Sequence, residues 1–183
     1  MRIAAQAVAS GAVIAYPTEA VYGLGCDPLN ATAVRRILSI KGRPEDKGLI
    51  LIAARFDAVA PYIHSLDAGR MAEILASWPG PNTWLLPARK GTPCWLTGAH
   101  DTLAVRVTSH PIAAGICQAC SRLGSGALVS TSANLSDRSP ARTSFGVRLQ
   151  LGNAPDLIVN AACGGHPRTS TIRDGRTGQV LRV

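Results

Sequence analysis

Short apolar runs alternate with amphipathic segments along this chain, and that alternation limits the possible folds more than any other feature. Runs at 12–16, 48–53, 83–88, 102–107, 126–130, 157–160, 170–174 and 179–183 read as strands. They are short and aliphatic or β-branched, and most are bounded by Gly, Pro, Asn or Asp. Segments with helical spacing lie between them. Residues 2–10 read as a helix stopped by Gly11 rather than as a signal peptide, because Gln6 and Ser10 break the apolar stretch. Asn30 caps a helix over 31–40 that carries Val34, Ile37 and Leu38 on one face. Asp67 caps a short helix bearing Met71, Ile74 and Leu75, Pro111 opens one ending near Leu123, and another runs near 143–150. Strands and helices alternate early, while strands cluster late. This order predicts an α/β fold with a twisted, mixed sheet flanked by helices, in one domain over 1–183.

Composition narrows the function. Apolar residues make up 46% of the 183, enough for a packed core, and no apolar run reaches the roughly 18 residues of a membrane span. The net charge of +8 favours an anionic partner, nucleotide or nucleic acid. Among 19 basic residues only Lys41, Lys47 and Lys90 are lysines, and two of them fall in KGRPEDK, 41–47. In a chain that otherwise chooses Arg, this spacing points to a wanted point charge. The five cysteines, Cys26, Cys94, Cys117, Cys120 and Cys163, are odd in number and scattered, which suits a reducing cytoplasm better than a disulfide framework. Cys117-x-x-Cys120 has no second pair or nearby His to complete a zinc set and reads as core or surface thiols.

Four polar clusters are candidates for chemistry, since ligands in open α/β sheets bind where strands end. The first, YPTEAVYGLG at 16–25, has Thr18, Glu19 and two tyrosines, with Pro17 fixing one backbone angle and Gly23 and Gly25 freeing two others. It reads either as a binding loop or as a tight strand-to-helix connection. In KGRPEDK, Lys41, Arg43 and Lys47 could converge on a polyphosphate, or the loop could be a solvated mixed-charge run. STSANLS at 130–136 offers hydroxyls and an Asn as a phosphate or carboxylate cradle, or starts a helix. The last, at 168–174, belongs to an arginine-rich end whose Arg168, Arg173, Arg176 and Arg182 are candidates for anion contacts. Arg106, inside the apolar strand AVRV, either turns to solvent or meets an anion in a cleft. His64, His100, His110 and His166 are isolated and read as structural or solvated. No nucleotide-binding phosphate loop, Rossmann fingerprint or nucleophile elbow is present.

Taken in order, YPTEAVYGLGCD, KGRPEDKGLILIA, WPGPNTWLLPA, LAVRVTSHP, STSANLS and STIRD resemble the YrdC-like family over nearly the whole chain. The resemblance implies a twisted α/β sheet around a large basic concave cavity. It implies a nucleotidyltransferase that joins L-threonine, bicarbonate or CO2, and ATP into threonylcarbamoyl-adenylate with release of pyrophosphate. Partner proteins then carry the threonylcarbamoyl group to the adenosine beside the anticodon of tRNA, and direct tRNA contact is compatible with the charge. By this carry-over Lys41 and Arg43 hold ATP phosphates and act in catalysis, with Lys47 nearby. Ser130, Ser132, Asn134, Ser170 and Arg182 complete the ATP site, while Thr18, Ala20 and Arg106 border the threonine. Mg2+ is expected with the triphosphate, with no dedicated metal cage.

Three positions depart from the family pattern: Ala20 where Thr is frequent, Gly48 where Pro is common, and Asp137 where Gly is common. The extra C-terminal domain of two-domain relatives has no counterpart in these residues. Two rival functions are a non-catalytic RNA-binding module and a carbamoyl-transfer enzyme. The first lacks a set of stacking aromatics, and the second resembles longer chains with zinc-binding motifs.

Overall fold

The computed structural model describes residues 1–136 and 138–182, so the expectation at Asp137 lies outside the described residues, as does the Val183 end of the last predicted strand. The elements are α1 (Arg2–Ala9), β1 (Ile14–Pro17), β2 (Tyr22–Gly25), α2 (Ala31–Lys41), β3 (Ile50–Ala53), α3 (Ala68–Ala76), β4 (Asn82–Pro87), α4 (Cys94–Thr97), β5 (Thr102–Val107), α5 (Pro111–Ser121), β6 (Ala127–Ser132), α6 (Ser144–Leu151), β7 (Leu157–Ile158), β8 (Thr171–Asp174) and β9 (Val180–Arg182). Three short 3-10 turns join them, one of them at Glu45–Lys47. The strands form one mixed sheet in the order β7-β1-β2-β6-β3-β5-β4-β8-β9. Pairs β1/β7, β3/β5 and β4/β8 are parallel and the rest antiparallel, as the clustering of late strands requires. Among the described residues no helix is long and apolar enough to cross a membrane.

One expectation fails at the start of the chain. Residues 16–25 are not a loop: β1 and β2 form an antiparallel hairpin with Tyr16 opposite Gly23 and Ile14 opposite Gly25. Gly23 and Gly25 are absent from the glycines of positive φ, so conformational freedom is not their purpose. A Cβ on Gly25 would lie 2.5 Å from the carbonyl oxygen of Val129 and 2.8 Å from the Tyr16 ring. Gly25 lets β2 pass beneath a fully buried Tyr16. Gly25→Ala is therefore expected to lower stability by about 1–3 kcal/mol, seen as a lower urea midpoint with an unchanged slope.

The two faces of the sheet are filled differently, and this creates the site. Alternation along the strands sends Ala15, Leu51, Ala53, Val105, Val129 and Trp84 to one face. There α2 contributes Val34 and Ile37, α3 Met71 and Ile74, α4 Leu96, and α6 Val147 and Leu151. Ile14, Tyr16, Ile52 and Leu128 point the other way and are covered by Ala4, Ala5 and Val8 of α1 with Ala113, Ile116, Cys117 and Cys120 of α5. The cover is partial. Further along this second face Ser130, Ile50, Ala104 and Leu85 form a directly paired row across β6, β3, β5 and β4. All four line an open cavity.

Candidate active site

The cavity has a volume of about 670 Å3, within the range of small-molecule sites. Thr18, Ala20, Lys41, Arg43, Lys47, Arg106, Ser130, Ser132, Asn134, Ser170 and Arg182 all line it. These positions are far apart in sequence, and the sheet brings them together. Among the described residues the cavity carries five cationic side chains, those of Lys41, Arg43, Lys47, Arg106 and Arg182, against the single carboxylate of Glu19. Of the arginines singled out near the C-terminus only Arg182 reaches it. Arg176 instead pairs with Asp101 at 2.8 Å, and Arg173 lies over the Trp84 ring at 5.8 Å.

Lys41 is the last residue of α2, whose turn closes on Gly42 in the left-handed conformation at φ 59°. That placement aims the ammonium at the chain leaving β6. Nζ donates to the carbonyl oxygens of Ser132 at 2.5 Å and Asn134 at 3.0 Å, and to Asn134 Oδ1 at 3.2 Å. Asn134 Nδ2 in turn donates to the carbonyls of Leu135 and Arg138, so one side chain fixes the loop that holds the lysine. Ser130 and Ser132 belong to β6, which runs two residues beyond the predicted strand, and neither starts a helix. Burial chiefly, then the neighbouring charge of Arg43, lowers the Lys41 ammonium to about 8.

The 43–48 loop docks on α4, an element the sequence left unread. Leu49 N–H donates to Leu96 O at 2.8 Å and Ala99 N–H to Asp46 O at 2.9 Å. Gly48 sits at φ 60°, an angle the proline ring cannot adopt, which accounts for a glycine at this departure from the family pattern. Arg43 donates to the carbonyls of Lys47 at 3.2 Å and Gly48 at 3.0 Å, while its buried Nε has no partner among the described residues. Burial lowers the Arg43 guanidinium below its usual value, and the charge of Arg182 lowers it further. Arg182 is lowered in turn by burial and by Arg106. Cations held this close together make a site that gains free energy when an anion enters. Across from them, Thr83 Oγ1 donates to Ser170 Oγ at 2.8 Å.

Arg106 resolves the alternative posed by its strand. It does not turn to solvent: it is 7% exposed and meets an anion, Glu19, with Nη1 3.3 Å from Oε2. Glu19 sits at the tip of the β1–β2 hairpin, whose turn is closed by Thr18 donating through N–H and Oγ1 to Val21 O. Its Oε1 accepts from Thr108 Oγ1 at 2.7 Å and Ser109 N–H at 3.0 Å. Burial raises the carboxyl, but Arg106 and these hydrogen bonds outweigh it and hold Glu19 below its usual value. A strap from 159 to 166 locks the hairpin from above: Gly164 N–H donates to Thr18 O, His166 N–H to Glu19 O, and the Tyr22 hydroxyl to Ala161 O at 2.5 Å. His110, read as structural, accepts from Ala113 N–H to cap α5, whereas His100 lines the cavity. Glu19 and His100 are two polar lining residues that sequence reasoning did not assign to the site. For Glu19 the signal was its place between Thr18 and Ala20.

The Sua5/YciO/YrdC profile, described as telomere recombination, matches residues 6–183. The chain is 54% identical over 182 residues to the threonylcarbamoyl-AMP synthase of Halorhodospira halophila, covering 100% of this chain and 93% of the relative. P. abyssi Sua5 complexed with L-threonine is similar over 94% of this chain, with a TM-score of 0.85 and 34% identity, and the chain spans 50% of that protein. E. coli YciO is similar over 99% of this chain and 87% of its own, with a TM-score of 0.84 and 27% identity. With a family match that begins at residue 6 and runs to the last residue, this chain belongs to the Sua5/YciO/YrdC family.

Proposed function

We propose that the chain is a threonylcarbamoyl-AMP synthase, a nucleotidyltransferase acting on L-threonine, bicarbonate or CO2, and ATP in the service of tRNA modification. The convergence of Lys41, Arg43, Arg106 and Arg182 on one cavity carries this reading, because the reaction brings a triphosphate and a carboxylate into the same space. Threonine carbamate supplies its own nucleophilic oxygen, which attacks the α-phosphorus as the bond to the β-phosphate breaks and pyrophosphate leaves. The protein then needs to orient the reactants and neutralise charge. In this reading Lys41 and Arg43, with Lys47 at the exposed rim, hold the phosphates. Ser130, Ser132, Asn134, Ser170 and Arg182 border the nucleotide, and Thr18, Ala20 and Arg106 the threonine. Mg2+ would enter as the ATP complex, since Glu19, the one carboxylate lining the cavity among the described residues, faces Arg106 and is anchored through Oε1 by Thr108 and Ser109. The product would pass to threonylcarbamoyl-transferring partners.

The test is pyrophosphate release by the purified chain with ATP, Mg2+ and bicarbonate. Release that appears only when L-threonine is added is the expected result. Release indifferent to threonine, or none from folded protein, would overturn the reading.

A further inference from the structure

Arg106 and Glu19 form a pair whose hydrogen bonding is incomplete. Among the described residues the buried Arg106 guanidinium makes no hydrogen bond, and its Nε has no partner. Glu19 Oε1 is fixed by Thr108 and Ser109, but Glu19 Oε2, also buried, receives no hydrogen bond from the described residues and only faces Arg106 Nη1 at 3.3 Å. Both residues line the cavity. A buried carboxylate oxygen without a donor and a buried guanidinium without an acceptor each cost free energy, and the direct contact between them is too poorly aligned to satisfy either. The missing partners are one acceptor for Arg106 and one donor for Glu19, side by side. An α-amino acid presents that combination, a carboxylate and an N–H group on one carbon.

We propose that Glu19 binds the amino group of the amino-acid substrate, Oε2 accepting its N–H while Arg106 takes the carboxylate. This rests on the synthase reading and adds a substrate-contacting residue to it. It also gives a reason for anchoring Glu19 so firmly. Thr108, Ser109 and the 159–166 strap hold the hairpin tip so that Oε2 stays in place when Arg106 turns to a ligand carboxylate. The amino nitrogen keeps an N–H after it is carboxylated, so the same oxygen serves the substrate and its carbamate. An amino acid is thereby selected over a simple carboxylate, which would leave Oε2 unsatisfied.

The experiment is calorimetric binding, without ATP, of L-threonine and of (R)-3-hydroxybutanoate, which is threonine lacking its amino group. The wild-type chain is expected to bind threonine at least about 30-fold more tightly than the analogue, and Glu19→Gln to reduce that ratio to about 3-fold. If both ligands weaken together in Glu19→Gln and the ratio is unchanged, Glu19 only holds Arg106 in place and the proposal is overturned. Equal binding of the two ligands to wild-type protein also overturns it. Should Glu19→Gln not fold, Thr108→Val removes the shortest anchor of Glu19 and carries the same comparison: a reduced ratio supports the proposal and an unchanged one overturns it. Failure of threonine to bind the wild-type chain at all would sink the synthase reading and the inference with it, whereas binding with an unaltered ratio sinks the inference alone.

Discussion

Lys41→Met is expected to reduce threonine-dependent pyrophosphate release by about 100- to 1000-fold at saturating ATP, the usual cost of removing one preorganised charge donor from a reacting centre. Methionine keeps much of the apolar stem and deletes only the ammonium. The variant leaves the carbonyls of Ser132 and Asn134 without their lysine donor, a loss offset by no longer burying a charge. Thermal unfolding of the same sample separates the two effects: the expected result is a modest change in melting temperature beside a very large loss of rate. Comparable activity in wild type and variant would remove Lys41 from the phosphate site. The pH dependence gives a second handle. With the folded ammonium lowered to about 8, the neutral amine gains ground above that pH, and kcat/KM for ATP should fall there in wild type. Stability moves the other way. Between about pH 8 and the unfolded value near 10.5 the unfolded chain binds more protons, so wild-type stability relative to Lys41→Met should rise through that window.

What could be read before folding, and what could not, follows from the range of the interactions. Caps are local: Asn30 accepts from Ala33 N–H and Asp67 from Arg70 N–H as their spacing requires, and Pro111 occupies the first turn of α5. The β5 limits, 102–107, were likewise legible because alternation and bounding residues agree there. β2 was not, because YGLG has the composition of a turn. Its Gly25 is required because Tyr16 and Val129 of β6 leave no room for a Cβ there, and that crowding exists only after folding. α4 is four residues long and too short for periodicity to register. At the site, the ordered motifs named eleven residues, and all eleven line the cavity. Which atoms meet could not be read. Arg106 and Glu19 are separated by most of the first half of the chain. Only the hairpin, whose second strand was missed, brings the carboxylate over β5.

The same pair gives the second large effect. Arg106→Leu is expected to destabilise the fold by about 3–5 kcal/mol at pH 7, the cost of stranding one member of a buried ion pair. The exposed-pair alternative, worth at most about 1 kcal/mol, does not apply, since the Arg106 and Glu19 side chains are only 8% and 4% exposed. The pH dependence identifies the cause. In wild type Glu19 is held below its usual value, so its contribution is present at neutral pH and is lost as pH falls through the folded value. Without Arg106 the desolvation of Glu19 is opposed only by Thr108 and the backbone, and its carboxyl should rise. The folded variant then binds more protons than the unfolded chain, and its stability should fall as pH increases above about 4.5. Urea midpoints for both proteins from pH 4 to pH 8 should therefore diverge with increasing pH, the gap being smallest at the acidic end. A gap that is constant across the range would mean that lost packing of the arginine stem, not the stranded carboxylate, sets the cost. In that case Glu19→Gln combined with Arg106→Leu would not recover stability; if the stranded charge is responsible, it should recover much of the deficit at pH 7.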